Sequence, residues 1–207
     1  MSLLIYQKKI LENQDKFDIY YNELVDYNQK VNLTAITEKG EVFTKHFLDS
    51  ILPIDAIGEG AKVVDVGAGA GFPSLPIKIV RPDIKLTMVD SLNKRINFLN
   101  YICNKLNVKS TNVHARVEEF TKNNREKFDV AVARAVAKMN TLLEYLLPIV
   151  TVGGFIIAYA VLDIISTMTI RRNFKTIHKA IEAAVVTDAE VLEEKETKKE
   201  KNKKDKE

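Results

Sequence analysis

In residues 1–57 the apolar positions recur three or four apart. Leu3, Leu4, Tyr6, Ile10 and Leu11 make one such series, and Phe17, Ile19, Tyr20, Leu24 and Tyr27 a second, so the spacing predicts two helices. Val31-Asn32-Leu33-Thr34-Ala35-Ile36-Thr37 breaks the period and is expected to be a loop with a polar interior. Thr37 is placed to cap a helix running to about Leu52, which would carry Val42, Phe43, His46, Phe47 and Ile51 on one side and end at Pro53.

From residue 60 the pattern changes to short apolar runs alternating with helical stretches. Strands are predicted at 62–66, 85–89, 111–114, 128–133 and 155–159, and helices at 72–80, 94–106 and 139–147. Near-continuous apolar strands separated by helices predict an α/β fold with a mostly parallel, doubly wound sheet covered on both faces. Residues 1–57 then form a helical extension packed on a core of 58–192, and 193–207, which mixes lysine with acid and lacks apolar residues, is a solvated tail. A sixth strand at 164–170 and a helix at 174–186 fit the remaining pattern.

Composition narrows the class. With 46% hydrophobic and 29% charged residues the chain can bury a core, which excludes a wholly disordered or collagen-like protein. The single cysteine, Cys103, excludes an internal disulfide and a cysteine-based zinc cluster; it is read as a packed apolar residue. The three histidines, His46, His114 and His178, fall at no metal-ligand spacing, so no metal is expected. Lys8 and Lys9 arrive too early for the apolar core of a signal peptide, and a reduced cytoplasmic monomer is expected. A net charge of +3 with a pI near 8.8 is too mild to announce nucleic-acid binding by itself. Residues 146–170 are long and apolar enough to imitate a membrane span. Pro148, Gly153-Gly154 and Asp163 argue instead for a turn feeding a buried strand, since an aspartate near a bilayer centre costs roughly 2.5–3.5 kcal/mol.

The chemistry concentrates in Val63-Val64-Asp65-Val66-Gly67-Ala68-Gly69-Ala70-Gly71-Phe72-Pro73. Glycines between a strand and a helix bring bare backbone against a ligand at the carboxyl edge of the sheet. Phe72 stands where a dinucleotide fingerprint needs its third glycine, and no Gly-Lys-Ser/Thr follows, which excludes a triphosphate P-loop. Asp65, just before Gly67, suits a cationic ligand such as S-adenosylmethionine and would repel a pyrophosphate. Asp90, ending the second strand, is placed to accept both ribose hydroxyls. A plain tight turn with Asp65 and Asp90 as helix caps, and an NAD or FAD site, remain the other readings of this pattern. Val117 and Glu118 follow the third strand, where they would meet an adenine edge, or simply lie on the surface. Arg134 ends the fourth strand, where it faces the crevice or pairs with a nearby carboxylate.

The chain resembles the bacterial ribosomal RNA small subunit methyltransferase G family, also called the glucose-inhibited division protein B family. The resemblance rests on Asn32-Leu33-Thr34-Ala35-Ile36, His46-Phe47-Leu48-Asp49-Ser50, Asp65 through Pro73, Val89-Asp90-Ser91-Leu92-Asn93-Lys94-Arg95 and Arg134-Ala135-Val136-Ala137, in that order, from about residue 15 to Tyr159. It implies a class I, Rossmann-like methyltransferase fold that moves a methyl group from S-adenosylmethionine to N7 of one guanine in 16S rRNA of the small ribosomal subunit. The family's cofactor contacts carry over onto Gly67, Phe72, Val117, Glu118 and Arg134, beside the loop residues Ala68, Gly69 and Gly71. Asn32 and His46 match motif residues next to the RNA face, although His46 on an apolar helix side also reads as a core histidine. Lys94, Arg95, Arg116 and Arg134 are the basic candidates for RNA. Guanine N7 carries a lone pair and no proton, so no catalytic acid or base is expected. Ser74 replaces the family's usual glycine, and Ala160-Val161-Leu162 departs from its usual continuation after Tyr159. That departure leaves two alternatives on the same fold: a methyltransferase for another substrate, and a cofactor-binding protein that has lost transfer.

Overall fold

The computed structural model of the protein describes residues 3–134, 139–159 and 167–171. Its sheet has the order β3-β2-β1-β4-β5-β6, built from β1 (Lys62–Val66), β2 (Lys85–Asp90), β3 (Ser110–His114), β4 (Phe128–Arg134), β5 (Val150–Tyr159) and β6 (Thr167–Arg171). The first five strands pair in parallel and β6 runs antiparallel to β5. This is the doubly wound α/β arrangement that the alternation predicts. The expected start of the last strand at 164–166, the helix at 174–186 and the tail at 193–207 lie outside the described residues.

Strand alternation divides the interior into two cores. Val63, Val130, Val132 and Ile157 face one side, with the helices α5 (Ser74–Val80) and α6 (Asn93–Lys105). Val64, Val66, Ala131, Ala133, Ile156 and Ala158 face the other, with α8 (Met139–Leu146) and the Phe120 side of α7 (Val117–Asn123). Because each central strand is buried on both faces, it reads as a continuous apolar run.

The N-terminal helices belong to the first core. In α2 (Gln14–Val31), Phe17, Tyr20 and Leu24 sit at i, i+3 and i+7 and are all fully buried. Phe17 and Tyr20 pack on Phe47 with ring centroids 4.9 and 5.2 Å apart, and Tyr20 stacks on Phe72 at 5.4 Å. From the shorter α1 (Leu3–Leu11), Tyr6 donates to Asp55 at 2.6 Å. The join to the sheet is held by Arg81, whose guanidinium donates to the carbonyls of Ile54, Ile57 and Gly58 and to Asp83.

Four local expectations change. The helix predicted from Thr37 is capped one residue later by Glu38, whose carboxylate accepts from the amides of Gly40 and Glu41 at 2.9 and 2.7 Å. A carboxylate reaches two free amides of the first turn where a threonine satisfies one. That helix is composite, running through α3 (Lys39–Glu41), a π-helical segment Val42–Leu48 and α4 (Asp49–Ile51). The helix after the glycine loop starts at Ser74 rather than Phe72. Finally, β5 starts at Val150, so Gly153-Gly154 is no turn. It is a bulge inside the strand: Phe128 pairs with Val150 but Val130 pairs with Phe155. Gly154 is needed there, because a Cβ would lie 2.5 Å from the Asp129 carbonyl oxygen. Among the described residues no helix is long and apolar enough to cross a membrane.

If the extension is part of the core, Phe17→Ala should cost about 3–5 kcal/mol. Urea unfolding should show a single transition shifted to a lower midpoint. A loss below about 1 kcal/mol would mean that α2 only rests on the sheet.

Candidate cofactor and substrate cleft

The strand order reverses between β1 and β4, where open α/β sheets leave a crevice beyond the strand carboxyl ends. A cavity of about 450 Å³ lies there, within the range of pockets that take one small ligand. One wall is the loop after β1, with Gly67, Ala68, Gly69, Ala70 and Phe72. A second is Asp90, Ser91 and Arg95, and the third is Leu33, Thr34 and His46 from the extension with Arg134 from the end of β4.

The loop is fixed by its own main chain. The amides of Gly67 and Ala68 both donate to the Val89 carbonyl, at 2.8 and 3.1 Å, and Gly69 donates to Asp90 Oδ2 at 2.9 Å. Gly67, Gly69 and Gly71 have φ of +73°, +57° and +95°, a region that side chains disfavour. Gly71 also has no room, since a Cβ would lie 2.7 Å from the Tyr20 hydroxyl. That hydroxyl donates to the Ala70 carbonyl at 2.5 Å and pins the loop from behind. Asp90 accepts three contacts: Gly69, Leu92 (2.8 Å to Oδ1) and a long 3.4 Å approach from Arg95. A carboxylate offers about four lone-pair sites, so Asp90 keeps capacity for a hydroxyl and gains more if Arg95 moves aside.

The third wall is a connected polar network. His46 sits in the π-helical segment, stacked 4.4 Å from Phe72; such segments recur at functional sites. Its Nε2 is 3.0 Å from Thr34 Oγ1, and its Nδ1 is 3.5 Å from Arg134 Nη1. Burial, with the nearby Arg134 charge, pushes the imidazole pKa down to about 4. Arg134 donates to Asp49 at 2.6 Å and to Ser50 at 3.1 Å, and lies 4.8 Å over the Tyr159 ring. Both sequence readings of Arg134 therefore hold together: it is ion-paired and it walls the cavity. Asn28 sets the Thr34 backbone, accepting from the amides of Leu33 and Thr34 and donating to the Thr34 carbonyl.

Asp65 departs from expectation. It shares the Val63 face of β1, is absent from the cavity lining, and is fully buried against the start of α5. Its Oδ2 accepts from the Ser74 hydroxyl at 2.5 Å and the Ser74 amide at 3.3 Å. The contact ties the carboxylate to the first residue of α5 through both its amide and its hydroxyl. Burial raises the Asp65 pKa to about 7, offset in part by Ser74. Asp65 Oδ1 is buried with no hydrogen-bond partner, and Asp90 is the carboxylate that lines the cavity wall itself.

The other sequence candidates do not line the cavity. Val117 and Glu118 open α7, a helix that the sequence pattern did not reveal, and they lie off the cavity wall. They follow Ala115, whose amide donates to the Asp90 carbonyl. Arg116 is exposed and 3.6 Å from Glu118. Lys94 is exposed in the first turn of α6, and Asn32 is exposed in a left-handed conformation that ends α2. Sequence reasoning passed over Thr34, Ser91, Asp49 and Tyr20. Thr34 and Asp49 stood inside quoted motifs, whereas Tyr20 carried only the signal of a core position.

Comparison with known proteins points in one direction. The family described as GidB, rRNA small subunit methyltransferase G, matches residues 13–196, which runs past Tyr159 where the motif resemblance stops. The ribosomal RNA small subunit methyltransferase G of Lactobacillus delbrueckii subsp. bulgaricus is 53% identical over 152 residues, covering 70% of this chain and 64% of that protein. The chain thus spans just under two thirds of the length of that relative. The protein of the same name from Streptococcus agalactiae is 42% identical over 184 residues, covering 79% of this chain and 78% of that one. Likeness to solved structures is looser: TehB from Haemophilus influenzae gives a TM-score of 0.46 at 23% identity, over 64% of this chain and 43% of that one.

The buried imidazole makes a pH prediction. His46 titrates near 4 in the folded chain and near 6.5 unfolded. The unfolded chain therefore binds the extra proton between those values, and this contribution to stability is lost as pH falls from 6.5 to 4. Asp65, with its raised pKa, contributes the opposite slope, which cancels when variants are compared. The stability of the wild type relative to His46→Gln should therefore grow by on the order of 2–3 kcal/mol between pH 4 and pH 7. A difference flat with pH, measured by urea unfolding, would place the imidazole in water.

Proposed function

The chain belongs to the rRNA small subunit methyltransferase G family, and from that premise we propose that it transfers a methyl group from S-adenosylmethionine to N7 of a specific guanine in 16S rRNA. The observation that carries this reading is one shared cavity in which the glycine loop and Asp90 meet the Thr34–His46–Arg134 wall. One side is suited to a nucleoside and the opposite side to a second, flat reactant.

The residues fit that cofactor. Gly67 and Gly69 present backbone without a Cβ, and Asp90 keeps acceptor capacity for ribose hydroxyls. A dinucleotide needs two parallel mononucleotide-binding halves. Among the described residues the second half ends in the antiparallel β6, and Phe72 fills the third-glycine position. Both features favour one nucleoside over two.

When bound, S-adenosylmethionine supplies an electrophilic methyl group on a sulfonium. The chain contributes positioning, because N7 attacks with its own lone pair and no side chain has to remove a proton. Holding N7 and the methyl carbon about 3–3.5 Å apart and in line is worth several kcal/mol of barrier. His46 stays neutral and stacked on Phe72, so it adds no positive charge beside a cationic donor. RNA recognition needs a splayed base and phosphate contacts. Lys94 and Arg95, in the first turn of α6 after β2, and Arg116, between β3 and α7, are the proposed phosphate partners, with Asn32 beside the wall formed by Leu33 and Thr34. This reading places the protein in the cytoplasm with the small ribosomal subunit as its partner.

Incubation with methyl-labelled S-adenosylmethionine and small subunits lacking the modification should yield labelled 7-methylguanine in 16S rRNA. Label confined to small molecules would overturn the proposal. Gly67→Val should weaken S-adenosylhomocysteine binding by at least about tenfold, through the side chain at positive φ and the blocked approach. Unchanged affinity by calorimetry would mean that the loop does not hold the nucleoside.

A further inference from the structure

Asp90 and Arg95 share one wall of the cavity, where the guanidinium occupies an oxygen that a ligand also needs. Asp90 is almost fully buried and ends β2, the position from which a carboxylate accepts ribose hydroxyls. Its two oxygens offer about four lone-pair sites. The Leu92 amide takes one on Oδ1 at 2.8 Å, and the Gly69 amide takes one on Oδ2 at 2.9 Å. One site is then left on each oxygen, and Arg95 Nη1 approaches that of Oδ2 at 3.4 Å. A vicinal diol held across a carboxylate needs a site on both oxygens, so it displaces Arg95. The ion pair is readily given up. Its contact is long for a charge-assisted bond, Arg95 Nε is buried with no hydrogen-bond partner, and Asp90 is the one carboxylate paired with this guanidinium among the described residues. Nor does the helix call for the cation. Lys94 and Arg95 stand in the first turn of α6 with no acidic residue beside them, where the helix dipole disfavours positive charge.

We propose that Arg95 couples the two substrates: ribose hydroxyls that engage Asp90 displace its guanidinium, the displaced guanidinium takes a phosphate of the RNA, and each ligand thereby tightens the other. The inference rests on the methyltransferase reading above. Either ligand arriving alone has to break the Arg95–Asp90 pair, whereas the second finds it already broken. The worth of that pair is therefore the coupling free energy, and it acts equally in both directions. A planar guanidinium that leaves a carboxylate is matched to a phosphate, which it grips through the same fork of donors. The Arg95 side chain is 34% exposed, so it is open to a nucleic-acid backbone passing the mouth of the cavity. Toward the nucleoside, Arg95 is a competitor and not a contact.

The test measures two affinities on wild type, Arg95→Met and Arg95→Lys. S-adenosylhomocysteine binding is followed by calorimetry. Binding to small subunits lacking the modification is followed by co-sedimentation, with and without saturating S-adenosylhomocysteine. In the wild type the nucleoside should tighten subunit binding by at least about threefold. Arg95→Met keeps an apolar stem and removes the charge. It should bind S-adenosylhomocysteine by itself at least about threefold more tightly than the wild type, and its subunit affinity should change by less than about twofold when the nucleoside is added. Arg95→Lys, which keeps the charge, should keep the coupling. Weaker S-adenosylhomocysteine binding by Arg95→Met overturns the proposal: with an unchanged urea midpoint Arg95 is a cofactor contact, and with a lower one it is a folding residue. Coupling retained in Arg95→Met, or absent from the wild type, overturns it as well. In each of these cases labelled 7-methylguanine formed by the wild type leaves the methyltransferase reading intact, whereas a wild type that binds neither ligand overturns both.

Discussion

The hydrogen bond from the buried Tyr20 hydroxyl to the Ala70 carbonyl is the constraint on which the cleft depends. A loop with three glycines at positive φ is entropically expensive to order, and its outer face has to stay bare for a ligand. It is therefore held from behind, by a ring fixed between Phe47 and Phe72. Burial raises the Tyr20 pKa well above its ordinary value, so the phenol remains a neutral donor. Gly71 makes the contact possible, since any larger residue would collide with the hydroxyl. The helical extension thus shapes the nucleotide loop as well as covering the sheet.

The same extension builds the opposite wall. The segment from His46 to Ser50 is anchored at three points: His46 stacks on Phe72, Asp49 pairs with Arg134, and Tyr159 donates to the Ser50 carbonyl at 2.6 Å. Arg134 and Tyr159 end neighbouring parallel strands, so the sheet fixes the separation of the cavity's walls. The proposed methyl transfer, which would rest on alignment rather than proton movement, needs that rigidity, since misplacement by about 1 Å can cost on the order of a hundredfold in rate. The side chains that set the geometry are mostly buried and paired, as pre-organised sites require.

Much of this was legible in the chain. The strands and their parallel order follow from apolar runs separated by helical periods, and the cleft follows from glycines at a strand end with Asp90 one strand over. What stayed hidden depends on tertiary partners. Asp65 has the sequence position of a ligand contact, yet strand alternation turns it toward α5, where Ser74 receives it. The first turn of α7 carries Val117 and Glu118, but its seven residues are too short to show a helical period. Gly153-Gly154 has the composition of a turn and is a bulge, because the partner strand continues past it. Tyr20 looks like any core aromatic until the loop that it touches, fifty residues away, is in place.

Amide hydrogen exchange with and without saturating S-adenosylhomocysteine tests the central claim most directly. Protection is expected to rise at 67–71 and 90–92 and to spread across the Tyr20 contact into α2, because the loop and the helix are fixed together. Protection that appears elsewhere while the loop stays unchanged, or no protection at saturation, would contradict a nucleoside held on this main chain.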